Sequence, residues 1–151
     1  MALSTSDFIS ILNDLIETCK DGENGFREAS QEVKNPTLKE LFLGYATERG
    51  QYATELQQSV STLGQVPETG GSLAAALHRR WIDLKSALSS QNDQAIIDEC
   101  ERGEDIAVEN YRDALSKDIP NDLKTVIQRQ FVGVKSAHDK IRNLKHGQEY
   151  V

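Results

Sequence analysis

The chain has few of the residues that cross-link or kink a protein. Only two of its 151 residues are cysteine and three are proline. Two cysteines are too few for a disulfide framework, and the scarcity of proline leaves long stretches free to be helical. No apolar run approaches the ~20 residues of a membrane span, and the N-terminal residues lack the pattern of a signal peptide. We therefore expect a cytoplasmic protein that has no membrane partner.

Basic residues are outnumbered as well. There are 17 lysines and arginines against 24 aspartates and glutamates, which gives a formal net charge of −7. Nucleic acid is therefore not an expected partner, because phosphate binding needs a basic surface. Aromatic residues make up only 6% of the chain, which disfavours a β sandwich. The length predicts a single domain over residues 1–151 that buries roughly two-thirds of its unfolded surface.

Apolar residues recur at intervals of three and four in several long stretches, the spacing of amphipathic helices. This spacing predicts four long helices over about 6–34, 37–63, 93–117 and 121–145, with a shorter one over about 72–88. The glycines at 22 and 25 weaken the first helix, but the pattern resumes in phase, so we predict that it is continuous. Short turns pair the helices into two antiparallel hairpins. The long crossover between the hairpins is typical of ferritin-like four-helix bundles.

Several polar residues lie on or beside these apolar stripes. Glu104 is central to the third long stretch, Glu23 and Glu48 flank the first two, and His138 lies beside the fourth. Charged side chains are rarely buried unless they are paired or bind metal. These four residues therefore become the candidate metal ligands.

Neighbouring residues invite simpler interpretations. Cys19 and Cys100 lie on apolar stripes, where a reduced cysteine behaves as a small hydrophobe, so we expect both thiols to be buried and inert. The neighbouring carboxylates Glu99, Glu101 and Glu109 fit a solvated helix face.

Four runs of the sequence resemble a known family. They are LNDLIET at 12–18, DGENGFREA at 21–29, GSLAAALHRRWIDLK at 71–85 and ECERGED at 99–105. They look like an uncharacterised bacterial four-helix-bundle family, a domain of unknown function in the ferritin-like superfamily. The resemblance covers nearly the whole chain, and it implies a fold more than a function.

Di-iron members of that superfamily use one Glu from each of two helices and a Glu-x-x-His from each of the other two. On this resemblance Glu48 and Glu104 match Glu positions and His138 matches a His position. The departures are Gln51, which stands where His is expected, and Lys135, which stands where Glu is expected.

The helix-one ligand is ambiguous between Glu23 and Cys19. Two iron ions are therefore not expected, and no cofactor is the favoured prediction, with iron or manganese if the site is occupied. One ion on Glu23, Glu48, Glu104 and His138 is a second option.

Two functions are compatible with this pattern. The first is a non-catalytic bundle with a degenerate di-iron site, with a stress-associated role among the options, that forms a homodimer through helix faces. The second is a metal-binding redox protein that oxidises iron or reduces peroxide with a reduced carboxylate and histidine site. A further hypothesis places the Lys135 ammonium among Glu23, Glu48 and Glu104, where it would supply the charge of the missing metal.

Overall fold

Four long helices build the protein. The computed structural model describes residues 3–65 and 92–145. The helices are α1 (Thr5–Glu32), α2 (Pro36–Thr62), α3 (Asp93–Leu115) and α4 (Asn121–Lys145). α1 packs most extensively on α2 and α3 on α4, while α1 also packs beside α3 and α2 beside α4. The predicted all-α architecture of two hairpins is confirmed.

Two further predictions concern a fifth helix and the absence of membrane spans. The helix predicted over 72–88 lies outside the described residues. Within the described ranges, no helix combines the length and apolar character that crossing a membrane requires.

The helix ends carry recognisable local signals. Ser4 caps α1 and exchanges hydrogen bonds with Asp7 in a capping box. Asn35 caps α2 directly before Pro36, which suits the first helical position because proline has no N–H to satisfy. Asn92 caps α3. α1 runs through both of its glycines without a break, as predicted.

The two hairpins are joined at one end by a side chain that binds backbone. The Asp93 carboxylate, at the start of α3, accepts hydrogen bonds from the backbone N–H groups of Lys34 and Asn35 at 2.8 and 3.0 Å. These two residues lie in the turn between α1 and α2. The turn of the first hairpin is therefore attached to the beginning of the second.

The apolar core consists of two clusters with a polar level between them. On α2 one cluster ends at Ala46 and the other begins at Ala53, and on α3 the corresponding residues are Cys100 and Ala107. Both gaps occur at the same height in the bundle, and each contains a buried charged residue. This polar level lies between the two apolar clusters and contains the candidate functional site.

The buried face of α2 differs from the predicted one. The sequence pattern placed Tyr45 and Tyr52 on the core stripe, but both are only partly buried. The fully buried positions are instead Ala46, Arg49 and Ala53. These positions are three and four residues apart and so keep a seven-residue repeat. Each tyrosine lies one residue before a member of this stripe, on its flank.

Candidate functional site

An ion pair lies at the centre of the bundle. Nη2 of Arg49 on α2 donates hydrogen bonds to both carboxylate oxygens of Glu104 on α3, at 2.7 and 2.8 Å. The two side chains are 1% and 0% exposed. The predicted burial of Glu104 is confirmed, and its partner is an arginine that the sequence pattern did not single out.

Helix α1 leaves room for the guanidinium. A Cβ atom on Gly22 would lie 3.0 Å from Nη1 of Arg49, which is tighter than normal packing. One turn further along, the Arg49 guanidinium lies over the Phe26 ring, 5.5 Å from its centroid. A cation over an aromatic face is electrostatically favourable. Gly22 therefore does more than weaken α1, because it leaves the space that Arg49 occupies.

Each member of this pair shifts the pKa of the other. Burial alone would lower the pKa of the Arg49 guanidinium, but the Glu104 carboxylate outweighs this effect and raises the pKa. Burial raises the pKa of Glu104, and Arg49 opposes that shift. Taking one charge away would leave the other in an apolar interior, where an unpaired charge is very costly.

The other predicted carboxylates lie on the flanks of this level. Glu23 is partly buried and makes ion pairs with Lys20 and Arg27 of its own helix, at 2.8 and 3.1 Å. These partners lower its pKa although partial burial opposes them. Glu48 lies near Tyr52, and burial together with that carboxylate raises the pKa of Tyr52 to about 12.

The two positions that differ from the di-iron motif, 51 and 135, do not contribute side chains to the central ion pair. Gln51 is exposed. Lys135 is 39% exposed, and its ammonium donates to both carboxylate oxygens of Asp139 at 2.8 and 2.9 Å. The hypothesis that Lys135 lies among the three glutamates is therefore wrong. The cation that compensates Glu104 comes from α2, not from α4.

A buried hydrogen-bonded chain lies next to the central pair. The Tyr111 hydroxyl donates to Oε1 of Gln130 at 2.8 Å and lies 3.0 Å from Sγ of Cys19. Because the hydroxyl has one proton, the Cys19 thiol is the donor of the second contact. Burial raises the pKa of Cys19 to about 11 and that of Cys100 well above its usual range. Buried protonated thiols agree with the prediction that both cysteines are inert.

His138 belongs to a different group from the one predicted. Ligand atoms of His138, Glu101 and Asp105 all lie within 4.8 Å of one another, and this group could hold a metal ion. Glu101 and His138 are buried and Asp105 is exposed. In the described ranges no other group of three or more such residues meets this criterion. The α3 and α4 helices therefore bring a possible metal site together beside the central pair.

Further contacts fix the imidazole. His138 Nε2 lies 2.6 Å from Oδ1 of Asp105, and Nδ1 lies 3.0 Å from Oδ1 of Asp139. Asp139 is in turn held by Lys135, whose hydrogen bonds, together with those of His138, lower the pKa of Asp139. The ring thus lies between two carboxylates from different helices.

A family model describes most of the chain. The model for a domain of unknown function, DUF2383, matches residues 7–117. The chain belongs to the DUF2383 family. No curated protein matches the chain significantly. The matched range contains the central pair, Gly22, Glu101 and Asp105, whereas His138 lies beyond it.

Three residues of the candidate sites in this DUF2383 chain were not identified from the sequence. Arg49 lies four residues after Tyr45 and three before Tyr52. This is the spacing of a core position in a helix bundle, and it was the sequence signal that a charged residue occupies the core. Glu101 is buried, although it was predicted to be solvated. Glu101 lies seven residues before Val108, which is buried. This spacing on the same face of α3 was the sequence signal that Glu101 is buried as well. Asp105 is exposed, and no pattern distinguished it.

The centre of the DUF2383 bundle does not fit a dinuclear metal site. Both oxygens of Glu104 accept hydrogen bonds from Arg49, and a guanidinium at that point repels cations. A dinuclear site of this kind would also need a histidine at position 51 of α2 and a glutamate at position 135 of α4. Gln51 is exposed there and Lys135 binds Asp139. Whether Glu23, Glu48, Glu104 and His138 are the remains of such a site stays a prediction.

Proposed function

We propose that this DUF2383 protein is a non-catalytic, ferritin-like bundle in which an internal ion pair replaces the metal centre. The observation that carries the proposal is the Arg49–Glu104 contact between α2 and α3. In the di-iron members of the superfamily, metal ions compensate carboxylates that project inward from the four helices. Here a guanidinium supplies the positive charge, so no cofactor is needed to hold Glu104 in the core.

The surroundings support a structural role for this pair. Arg49 and Glu104 occupy the level between the two apolar clusters, and they connect the first hairpin to the second. A buried ion pair specifies which residues must meet, since a misaligned bundle would leave two charges unpaired. The nearby Cys19 and Tyr111 are buried, and burial raises the pKa of each, so neither supplies an ionised nucleophile.

Metal analysis combined with an activity assay tests the proposal. Untagged protein is purified without chelator, and its iron and manganese are measured beside the Arg49→Met/Glu104→Leu double variant. We expect no metal that depends on Glu104 and no ferrous oxidation or peroxide reduction above the buffer rate. Near-stoichiometric iron or manganese that is lost in the double variant would overturn the proposal, provided that circular dichroism shows the variant is folded.

The second candidate is a metal-binding redox protein that uses Glu48, Glu104 and His138. One observation favours it. Burial raises the pKa of Glu104, and His138 is near enough for its charge to oppose that rise. The same measurements separate the two candidates, since this one requires both the metal and turnover.

Homodimer formation, the stress-associated role and the cytoplasmic location are separate predictions. Leu43 and Val132 are large apolar side chains that are 53% and 69% exposed, and homodimer formation through helix faces stays a prediction that sedimentation would test. The stress-associated role and the cytoplasmic location also stay predictions.

A further inference from the structure

We propose that Glu101, Asp105 and His138 bind one divalent first-row transition-metal ion at the α3–α4 face, separate from the central ion pair. The three ligand atoms lie within 4.8 Å of one another. Glu101 and Asp105 are one turn apart on α3, and His138 approaches from α4. One imidazole nitrogen and two carboxylate oxygens from two helices form one side of a coordination sphere, and water can complete it.

The contacts of His138 place a carboxylate on each side of the ring. Nε2 lies 2.6 Å from Oδ1 of Asp105, which is the distance of a short hydrogen bond, so a proton joins these two atoms. A metal ion bonds to imidazole nitrogen and carboxylate oxygen at about 2.0–2.2 Å. Binding of the ion would displace this proton and move the two atoms apart to about 3 Å, the separation of two ligands of one ion.

Asp139 has the role that an orienting carboxylate has in metal sites. A metal-binding histidine almost always donates its second ring N–H to a carboxylate or carbonyl, which fixes the tautomer and the ring orientation. The Nδ1 contact to Asp139 is 3.0 Å, and Lys135 holds that carboxylate in place. Lys135 is therefore a positioning residue two contacts away from the ion.

The site also has an entrance. Asp105 and His138 line a cleft of about 500 Å³ between α3 and α4, through which an ion and its remaining water ligands can enter. The cationic side chains of Arg112, Lys135 and Arg142 also line this cleft, so the attraction for the ion comes from its carboxylate ligands and not from the cleft as a whole. The two carboxylates neutralise a divalent charge. Ca²⁺ and Mg²⁺ prefer oxygen ligands alone, whereas an imidazole nitrogen suits first-row transition-metal ions such as Fe²⁺, Ni²⁺, Cu²⁺ and Zn²⁺. The ligand set therefore selects this class of ion.

Titration with Co²⁺ tests the site, because Co²⁺ reports its coordination in the visible spectrum. Untagged protein is stripped with EDTA, dialysed and titrated by calorimetry and absorbance. We expect one Co²⁺ per chain. We expect Asp105→Asn and His138→Gln each to weaken binding at least ~10-fold and Asp139→Asn to weaken it by roughly 10–100-fold.

Two control variants show whether the bound Co²⁺ belongs to this site. Asp113→Asn removes an exposed carboxylate of α3 and should leave the affinity unchanged. The Arg49→Met/Glu104→Leu variant lacks the central pair and should still bind one Co²⁺, so failure here is distinct from failure of the proposed function. Absence of saturable binding, or equal affinity in wild type, Asp105→Asn and His138→Gln, would overturn the proposal.

Discussion

Removing one member of the central ion pair should destabilise the protein far more than removing both. The relevant variants are Arg49→Met, Glu104→Leu and the double variant. Both side chains are at most 1% exposed, so neither remaining charge can reach water without a rearrangement of the core. Methionine fits the space of the arginine stem, and leucine is close to glutamate in volume. The variants therefore change charge with little change in packing.

The expected magnitudes follow from the burial. Two charges about 4 Å apart attract by roughly 4 kcal/mol at an effective dielectric constant of ~20, and breaking a buried pair typically costs about 3–5 kcal/mol. Each single variant should lose that much free energy of unfolding. Replacing a whole buried pair by apolar residues is often neutral or stabilising by about 1–4 kcal/mol. The double variant should accordingly be at least as stable as wild type.

Urea unfolding followed by circular dichroism measures this coupling. Asp113→Leu, which removes an exposed carboxylate 3.9 Å from Lys117, serves as the control and should cost less than ~1 kcal/mol. Single variants that cost as little as this control, or a double variant that loses the sum of the two single losses, would refute the reasoning. Singles that fail to fold while the double folds would support it.

The pH dependence distinguishes the two single variants. Burial raises the pKa of Glu104, while Arg49 opposes that shift, so removing Arg49 raises the pKa further. A raised carboxyl pKa means that the folded state binds the proton more tightly than the unfolded state. The loss in Arg49→Met should therefore shrink as the pH falls below the folded-state pKa. No such recovery is expected for Glu104→Leu, because the arginine stays charged.

Two further predictions concern neighbours of this pair. Gly22→Ala should lower the melting temperature of the wild type, because its Cβ would lie 3.0 Å from Nη1 of Arg49. In the Arg49→Met background Gly22→Ala should instead stabilise the protein by about 1 kcal/mol, because alanine has the higher helix propensity. A change in stability of the same sign in both backgrounds would contradict this account. At pH 8 both thiols should react with a thiol reagent only after unfolding, because burial raises the pKa of Cys19 to about 11. Fast labelling of the native chain would show that they are accessible.

The sequence allowed the helices to be predicted to within about two residues at their ends, because their signals are local. Ser4, Asn35 and Pro36 mark ends that depend only on nearby backbone groups. The burial of Glu104 was predictable for the same reason, since it lies between Cys100 and Ala107 in one apolar stripe. Periodicity along a single helix is sufficient for these conclusions.

The partners across helices were not predictable in the same way. Arg49 and Glu104 are 55 positions apart, and a heptad position states which residues face inward but not which of them meet. Lys135 was placed in the centre by its motif position. The structure instead has it bound to Asp139, one turn away on the same helix. The four-residue spacing of Lys135 and Asp139 is itself a sequence signal for this ion pair, but spacing does not show which of two competing partners the ammonium binds.

The Asp93 carboxylate that binds the turn of the first hairpin has a consequence for how the halves recognise each other. Its two hydrogen bonds join residues 58 and 59 positions apart, and the Arg49–Glu104 pair joins the same halves at mid-height. The Asp93 contact sets the axial position of α3 relative to α1 and α2. The Arg49–Glu104 pair requires the same axial position. Alignment information therefore resides in the two hairpins themselves.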